Sequence, residues 1–531
     1  MRAAQGRAVG ERIAIIGAGM GGLASAAMLA ARGHDVTVIE KEQWVGGKAR
    51  TVAVDGQAIE AGPTVFTMRD VFDQIFHTCG ARLEDYISVR RAEVIARHAW
   101  DDAERLDLFA DPVRSEEAIG DFAGADAAAG YRAFRKEARR IYEVLDEPFL
   151  RGDKSSTPLP MMWRMGLHRI GDAMAMRPFD NLWKALGEHF ADPRLQQLYG
   201  RYATYCGSDP FQSPATLMLI AHTEARGVWL IDGGISALAN ALRALAEKKG
   251  VRFLSGSNAA QILIEERRVG GIRLTSGDTV PASIVISNAD PAALAGGKFG
   301  EHAAQSVPKM PESKRSLSAL VWFAHAETAG FDLSHHNVFF SPDYAGEFAD
   351  IGAGRPPSDP TVYLCAQDRS ASERAPLPAR ENARERIQII VNAPANGDTH
   401  HYSAEEIETC TLAMRSSLRR CGLTLEDPMP HELATPETWE ELFPATGGAL
   451  YGRASHGWAA SFQRQGPKTK IPGLYCAGGA THPAAGVPMA ALSGLLAART
   501  IERDLASMRR FHRAATPGGT LMRSAKTGST G

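Results

Sequence analysis

The sequence predicts an α/β fold built on a parallel sheet, because strand-like and helix-like segments alternate at both ends of the chain. Near the start, the apolar run 12–16 precedes a glycine-rich turn, a helix-like stretch over 23–32 and a second apolar run that ends at Glu40. Near the end, 471–476 is typical of a strand and 489–505 of a helix rich in alanine and leucine, with a glycine-rich loop between them. We therefore expect a strand–turn–helix unit at each end.

The first glycine-rich turn has the G-x-G-x-x-G spacing of a dinucleotide-binding βαβ unit. Gly17 permits the tight turn, Gly19 lets a pyrophosphate approach the backbone, and Gly22 allows the helix to pack closely on the strand. The helix N-terminus then offers unpaired N–H groups to the phosphates. Glu40 lies where a carboxylate accepts a hydrogen bond from a ribose hydroxyl and would repel a 2′-phosphate. This context predicts an adenine dinucleotide other than NADP.

A glycine pair with basic neighbours follows the second strand. Gly46 and Gly47 are surrounded by Lys41, Lys48 and Arg50. Their backbone N–H groups and cations could contact the same phosphates, although a solvated surface turn is the simpler alternative. This extension resembles the FAD-binding signature of the amine oxidase and carotenoid desaturase superfamily. The resemblance implies that the dinucleotide is FAD.

The C-terminal loop implies a second contact with this cofactor. Gly478, Gly479 and Gly486 would let the backbone run close to a flavin ring, and Pro488 suits the first turn of the helix that follows. In flavoproteins that this chain resembles, that helix directs its N-terminus at the ring, where its dipole stabilises the negative charge of reduced flavin. We therefore expect the two ends of the chain to meet on one FAD.

Two motifs, 62–69 and 477–489, are similar to signatures of the bacterial phytoene-desaturase-type carotenoid desaturase family. Within that family, 67–69, 487–489 and 492–494 are closest to the 1-hydroxycarotenoid 3,4-desaturases. The resemblance implies a Rossmann-like FAD-binding domain of the amine oxidase/carotenoid desaturase type with an interleaved α+β substrate domain. It adds further cofactor contacts: Gly62, Pro63, Thr64, Ala259, Val487, Pro488 and Met489. Ala485 departs from the pattern, because a glycine is expected at that position.

The resemblance also implies a reaction. An acyclic 1-hydroxy or 1-methoxy carotenoid would lose a hydride to FAD and then a proton, and the new double bond would extend its conjugated chain. His222, Glu224 and His482 are candidates for a catalytic base, with Arg226 beside the first two, although a structural role explains each of them better. The electrons would leave FAD for oxygen, a quinone or another diffusible acceptor. The sequence does not choose among these acceptors.

The motifs divide the chain into alternating segments. FAD-binding segments are expected over 1–69, 233–290 and 442–507, and substrate segments over 70–232 and 291–441. The first substrate segment includes the region expected to face the membrane. The remaining residues, 508–531, are basic and rich in glycine, serine and threonine, which predicts a flexible tail.

Composition excludes several functions. A net charge of −2 argues against a nucleic-acid-binding surface. The six cysteines are scattered without metal-ligand spacing, so we predict no metal site and expect reduced thiols in the cytoplasm. The stretch 158–186 mixes Met, Trp and Leu with basic residues, a composition that fits an ordinary core helix pair as well as a helix lying in a membrane interface or lining a substrate tunnel. The resemblance to carotenoid enzymes favours the membrane or the tunnel, because a carotenoid must be taken from lipid. We therefore expect peripheral association with the inner membrane. A homo-oligomer is compatible with the sequence.

Three alternative functions remain open at this stage. The same flavoprotein fold could oxidise phytoene or another apolar substrate. An amine oxidase would be favoured by an aromatic cage beside the flavin. A protein resembling the Rab GDP-dissociation inhibitors would hold prenylated partners without redox chemistry, although intact phosphate-binding glycines argue against that interpretation.

Overall fold

A computed structural model describes residues 10–155, 157, 177, 179–370 and 384–514. In chain order, the strands are β1 (Arg12–Ile16), β2 (Asp35–Glu40), β3 (Thr51–Val54), β4 (Gln57–Glu60), β5 (Val89–Arg91), β6 (Val94–Ala99), β7 (Arg105–Phe109), β8 (Trp229–Ile231), β9 (Arg252–Ser255), β10 (Ala259–Glu265), β11 (Arg268–Leu274), β12 (Thr279–Pro281), β13 (Ile284–Ser287), β14 (Ser318–Ala326), β15 (Thr328–Ala329), β16 (His336–Phe339), β17 (Val362–Ala366), β18 (Glu385–Ala393), β19 (Thr424–Leu425), β20 (His431–Ala434) and β21 (Leu474–Cys476).

The α-helices of the described residues are α1 (Met20–Ala30), α2 (Arg69–Thr78), α3 (Pro112–Ala123), α4 (Ala125–Leu145), α5 (Leu182–His189), α6 (Pro193–Gly200), α7 (Leu219–Arg226), α8 (Gly234–Lys248), α9 (Pro291–Ala295), α10 (Glu301–Ala304), α11 (Tyr344–Gly352), α12 (Ala404–Arg420), α13 (Pro436–Leu442) and α14 (Val487–Ala514). A short 3₁₀ turn over Arg201–Cys206 follows α6 and forms part of the site described below.

A five-stranded parallel sheet joins distant parts of the chain. Its strand order is β21-β13-β1-β2-β9, and every pairing is parallel. Helices α1, α8 and α14 contribute buried apolar residues to a core with this sheet. The sequences of such strands are continuous apolar runs, because helices or loops cover both faces of the sheet. The structure confirms the predicted α/β class and brings the first and last strand–turn–helix units together.

Several element ends differ from those predicted. Helix α1 begins at Met20, because the extended backbone of Gly19 serves as its N-cap and Leu23 N–H donates to Gly19 O at 2.9 Å. Strand β21 begins only at Leu474, because Pro472 has no N–H to donate and Gly473 adopts a positive φ of 86°. Helix α14 starts at Val487, which places Pro488 in its first turn as expected.

A second, larger sheet is formed by the two predicted substrate segments. Its order is β20-β14-β18-β17-β16-β6-β7, with antiparallel pairing except for the parallel pair β16–β6. Helices α3 to α7 pack on one side around a core rich in aromatic residues, including Phe134, Phe190 and Tyr199. The segment boundaries given above remain predictions, since the sheets show only which strands pair.

The C-terminal helix extends beyond its predicted end at 505. Helix α14 continues to Ala514, into the segment predicted to be a flexible tail. The physical reason is that no glycine or proline interrupts the chain between Gly494 and Pro517, so nothing there stops a helix. Residues 515–531 lie outside the described residues, as does most of the segment 158–186 that was predicted to face a membrane interface or a substrate tunnel. In the described parts of the chain, no helix combines the length and apolar character needed to cross a bilayer.

Candidate functional site

The two N-terminal glycine-rich turns lie against each other. Gly46 N–H donates to Ala18 O at 2.8 Å, and Gly19 forms a bridge with Gly46. A methyl group on Gly47 would lie 3.3 Å from Gly19 Cα. The turns that sequence analysis predicted to contact the phosphates therefore form one surface of backbone atoms without side chains. Lys41, in contrast, donates to Leu442 O at 2.8 Å.

Glu40 is the last residue of β2, and its carboxylate lies next to these turns. Its carboxylate accepts hydrogen bonds from Ala18 N–H at 2.6 Å and Glu42 N–H at 3.0 Å, and the residue is buried. Burial raises the pKa of Glu40, and the two backbone donors oppose that rise. Ser257 N–H donates to Glu40 O at 2.8 Å, and the predicted adenine contact Ala259 follows Ser257 by two residues, so it lies near the end of β2. The ribose role of Glu40 stays a prediction.

Lys48 and Arg50 extend inward from the second glycine turn. Lys48 Nζ donates to Leu450 O and lies 5.1 Å from the ring centroid of Phe443. Burial lowers the pKa of Lys48 to about 8. Arg50 lies over the Trp439 ring, and its buried Nε has no hydrogen-bond partner in the described structure. Two partly buried cationic groups, one with an unused donor, fit an anionic group such as the pyrophosphate of FAD.

Asn288 occupies the junction between the two ends of the chain and was not predicted as a site residue. A methyl group on Gly19 would lie 2.7 Å from Asn288 Nδ2, and one on Gly21 would lie 2.8 Å from Asn288 Oδ1. A methyl group on Gly478 would lie 3.0 Å from the same oxygen. Asn288 Oδ1 is buried and has no partner among the described residues. The signal that could have identified Asn288 as a site residue was its position directly after β13, the strand beside β1.

The C-terminal loop is fixed by hydrogen bonds to its neighbours. Ala477 N–H donates to Ser287 O at 3.0 Å, and Gly478 N–H donates to Ser493 Oγ at 3.2 Å. Arg464 donates to Gly479 O at 3.4 Å. These contacts hold the loop that carries Gly478, Gly479 and Gly486 over the N-terminal turns and lead it into α14.

A cavity of about 290 Å³ opens beside this loop. One wall holds residues predicted to face the cofactor: Pro63, Thr64, Gly486, Val487, Pro488 and Met489. The other wall comes from α7, the turn Arg201–Cys206 and strands β17 and β18, and includes Tyr205, Leu219, Ile220, Glu224, Tyr363 and Ile390. Most lining side chains are apolar. The predicted cofactor surface and the predicted substrate segments therefore share one cavity.

A polar cluster interrupts the apolar substrate wall. Tyr202 Oη donates to Glu224 Oε2 at 2.5 Å, and the hydroxyl of Tyr205 also bonds to this carboxylate. Arg201 donates to Tyr205 Oη at 3.2 Å. Burial raises the pKa of Glu224, and the two tyrosine hydroxyls oppose that rise. Sequence analysis missed Arg201 and Tyr205, because nothing in their spacing shows that they reach Glu224.

The other two base candidates do not line the cavity. His222 packs against Tyr142 with ring centroids 5.1 Å apart, and burial lowers the pKa of His222. Arg226 donates to the hydroxyl of the same Tyr142. His482 is buried, and its Nε2 lies 3.1 Å from Gly152 O. Of the three candidates, Glu224 alone faces the cavity.

The structure also brings together three potential metal ligands that sequence analysis did not connect. Ligand atoms of His335, His336 and Cys365 lie within 4.8 Å of one another. His336 Nδ1 is 2.7 Å from the Tyr363 hydroxyl, and His335 Nε2 is 3.5 Å from Cys365 Sγ. Burial raises the pKa of Cys365 to about 12, which disfavours the thiolate that metals prefer.

Comparisons with known proteins agree with this architecture. The family of flavin-containing amine oxidoreductases matches residues 20–502. The chain is 47% identical to the hydroxyneurosporene desaturase of Rubrivivax gelatinosus, over 98% of both chains, and 42% identical to that of Cereibacter sphaeroides, over 95% of this chain and all of the other. An oxidoreductase structure from Methanosarcina mazei superposes with a TM-score of 0.58 at 16% identity, covering 93% of this chain and all of that one. The last comparison supports the fold alone.

Proposed function

Because the chain belongs to the family of flavin-containing amine oxidoreductases and uses FAD, we propose that it desaturates the 3,4 bond of an acyclic 1-hydroxy or 1-methoxy carotenoid. The similarity to hydroxyneurosporene desaturases along nearly the whole chain carries this proposal. It agrees with the resemblance that the sequence motifs predicted. The shared cavity between the cofactor loop and an apolar wall supports it further.

The residues that would hold FAD fall into two groups. The turns around Gly19 and Gly46, with Glu40, Lys48 and Arg50, fit the adenosine and pyrophosphate parts, since they combine bare backbone with acceptors and cations. Gly62, Pro63, Thr64 and the loop from Gly478 to Met489 would face the ring: the last four residues of this loop and both Pro63 and Thr64 line the cavity. Bound FAD supplies the hydride acceptor.

The protein's own contribution is position and exclusion of water. A cavity of about 290 Å³ is at the small end of ligand sites, so it accommodates one end of a long polyene rather than its whole length. A desaturation near the chain end therefore suits this site. Glu224 already accepts hydrogen bonds from two tyrosine hydroxyls, so we interpret it as a group that fixes the cavity wall. We assign no catalytic base.

The amine oxidase alternative fits the cavity less well. Tyr205, Tyr363 and Tyr451 do line it, as an aromatic cage for an amine would require. However, the guanidinium of Arg201 lies over two of these rings, with distances of 5.2 Å to Tyr205 and 5.3 Å to Tyr363. A protonated amine would meet this positive charge in the position where the cage should attract it.

Membrane association forms part of the proposal. A carotenoid partitions into lipid, so the enzyme must take its substrate from a bilayer. The basic, methionine- and tryptophan-rich segment 158–186 has the composition of an interfacial helix, and we propose that it docks the enzyme peripherally on the inner membrane.

An anaerobic single-turnover experiment tests the function. Purified protein loaded with FAD is mixed with liposomes that contain 1-hydroxyneurosporene. We expect the oxidised-flavin absorbance to fall in proportion to a product that is lighter by two hydrogens. Unchanged flavin absorbance and unchanged carotenoid mass, with FAD bound, would contradict the proposal. Protein that binds no FAD would contradict any enzymatic role and favour a prenyl-binding protein.

A further inference from the structure

The cavity contains charged groups that hydride transfer to a flavin does not require. Arg201, Glu224 and Arg464 line it, among mostly apolar side chains. A polyene presents no charge and, along most of its length, no polar atom. Because buried charges are costly unless they are paired or hydrogen-bonded, each of these groups needs a partner.

Arg464 has its partners within the protein. It donates to Tyr451 O at 3.1 Å, to Arg453 O at 2.6 Å and to Gly479 O at 3.4 Å. These carbonyl groups lie on the loops that surround the cavity. Arg464 therefore ties the flavin-facing loop to its neighbours.

Arg201 is different. In the described structure its guanidinium donates one hydrogen bond, to Tyr205 Oη at 3.2 Å, although an arginine carries five N–H donors. The other N–H donors of Arg201 are unused within the described residues, and the Arg201 side chain lines the cavity. The group is thus a cation inside the protein with unused donors next to an apolar ligand space.

The position of Arg201 is nevertheless fixed. Its guanidinium carbon lies 5.2 Å and 5.3 Å from the ring centroids of Tyr205 and Tyr363. Tyr205 is held by Glu224, and Tyr363 Oη lies 2.6 Å from Thr64 Oγ1 on the cofactor-side wall. Donors that are fixed before a ligand arrives lose little entropy on binding it.

We propose that Arg201 binds the oxygen substituent at C1 of the substrate, with Tyr205 and Glu224 as positioning residues. This inference rests on the proposed function and names the feature of the substrate that the site recognises. A guanidinium is a donor without an acceptor, and both a hydroxyl and a methoxy oxygen offer lone pairs. One arginine therefore serves both substrate classes, whereas a carboxylate could bind only the hydroxyl.

The same contact explains which bond reacts. C1 is separated from C3 by a single carbon atom, so a group that holds the C1 oxygen also fixes C3 and C4. Arg201 and the flavin-facing residues Pro488 and Met489 line one small cavity. Anchoring the oxygen at Arg201 would hold the neighbouring bond within that cavity, in reach of the cofactor side.

The test compares two substrates that share the polyene and differ in the oxygen: 1-hydroxyneurosporene and neurosporene. The readout is the ratio of their kcat/KM values in liposomes. We expect wild-type protein to prefer the hydroxylated substrate by more than about tenfold, and Arg201→Met to reduce this preference by about tenfold to hundredfold. The loss should fall almost wholly on the hydroxylated substrate. Arg139→Met, at an exposed arginine paired with Glu143, is the matched control and should leave the ratio unchanged.

Several results would overturn the inference: a wild-type ratio near one, an unchanged ratio in Arg201→Met, or equal losses on both substrates together with weaker FAD binding. The last result would assign Arg201 to the flavin or to folding. If Arg201→Met does not retain FAD, Tyr205→Phe decides, because it removes one oxygen atom and keeps the ring. An unchanged ratio in that variant would overturn the inference. FAD-loaded wild-type protein that converts neither substrate would instead contradict the proposed function itself.

Discussion

A single methyl group at Gly19 would test whether the first glycine turn binds a cofactor or merely packs. The backbone of Gly19 has φ −71° and ψ 174°, a conformation open to any residue, so glycine is needed there for space alone. The structure offers two reasons for that space. A methyl group would lie 2.7 Å from Asn288 Nδ2, and it would also stand where the pyrophosphate is expected to approach the backbone.

Contact with Asn288 and loss of the phosphate contact predict different effects, the first on folding stability and the second on FAD affinity. Contact with Asn288 is overpacking, which costs about 1–3 kcal/mol of folding stability, whether or not FAD is present. Displacing a phosphate from charge-assisted N–H donors costs about 1.5–3 kcal/mol of binding energy, or about tenfold to hundredfold in affinity. Gly19→Ala should therefore destabilise the protein without FAD and also weaken FAD binding.

A double-mutant cycle separates these effects. Asn288→Ala removes the contact with the added methyl group. The double variant should therefore regain folding stability. It should still bind FAD at least about tenfold more weakly than Asn288→Ala alone. Gly352→Ala is the control, because a methyl group there meets nothing within 4 Å. FAD affinity is measured by quenching of flavin fluorescence, and stability by urea unfolding. Full recovery of FAD affinity in the double variant would refute the cofactor role of this turn.

Three further predictions concern other parts of the chain. Glu40→Ala should weaken FAD binding and lower the free energy of unfolding by about 1–3 kcal/mol, because it leaves the buried N–H of Ala18 without its acceptor; flavin titration and urea unfolding measure both. Burial raises the pKa of Glu347 to about 7, so its carboxyl keeps a proton in the folded protein that it loses in the unfolded chain. Stability should therefore fall as pH rises from about 4.5 to about 7, by on the order of 3 kcal/mol, and Glu347→Gln should remove that slope in urea unfolding. Replacing Met161, Trp163 and Met165 of segment 158–186 with serine should reduce the fraction of protein that sediments with anionic liposomes.

Each of these predictions has a control or a contradicting result. Unchanged FAD affinity in Glu40→Ala would exclude the ribose contact, even if stability falls. The same pH slope in Glu347→Gln and wild type would show that another group carries it. For membrane binding, Val113→Ser and Leu412→Ser remove exposed apolar side chains elsewhere and should leave sedimentation unchanged. Undiminished sedimentation of the triple-serine variant would contradict interfacial docking by segment 158–186.

The parts of the fold that sequence predicted are those with local signals. The βαβ unit ending at Glu40 was predictable, because the glycine spacing and apolar runs lie within one short stretch. The start of α14 was predictable to within two residues, because Pro488 marks a first helical turn. Its far end was placed too early, since basic and small residues were taken as a tail although no helix breaker precedes Pro517.

The parts that sequence did not predict depend on long-range contacts. Strand β6 pairs in parallel with β16, which follows it by more than two hundred residues, and no local pattern specifies that register. Arg201, Glu224 and Tyr363 come from three separate elements and meet only in the folded cavity. Asn288 was visible as the end of a strand, but its contact with the glycines of both chain ends requires the order of the parallel sheet.

The most direct test of the proposed desaturation is pigment analysis after expression of this chain in a bacterial host that accumulates 1-hydroxyneurosporene. Chromatography with absorbance and mass detection follows the pigment. We expect a product that is lighter by two hydrogens and absorbs at longer wavelength, as one additional conjugated double bond requires. An unchanged pigment, in cells that contain the protein loaded with FAD, would contradict the proposal.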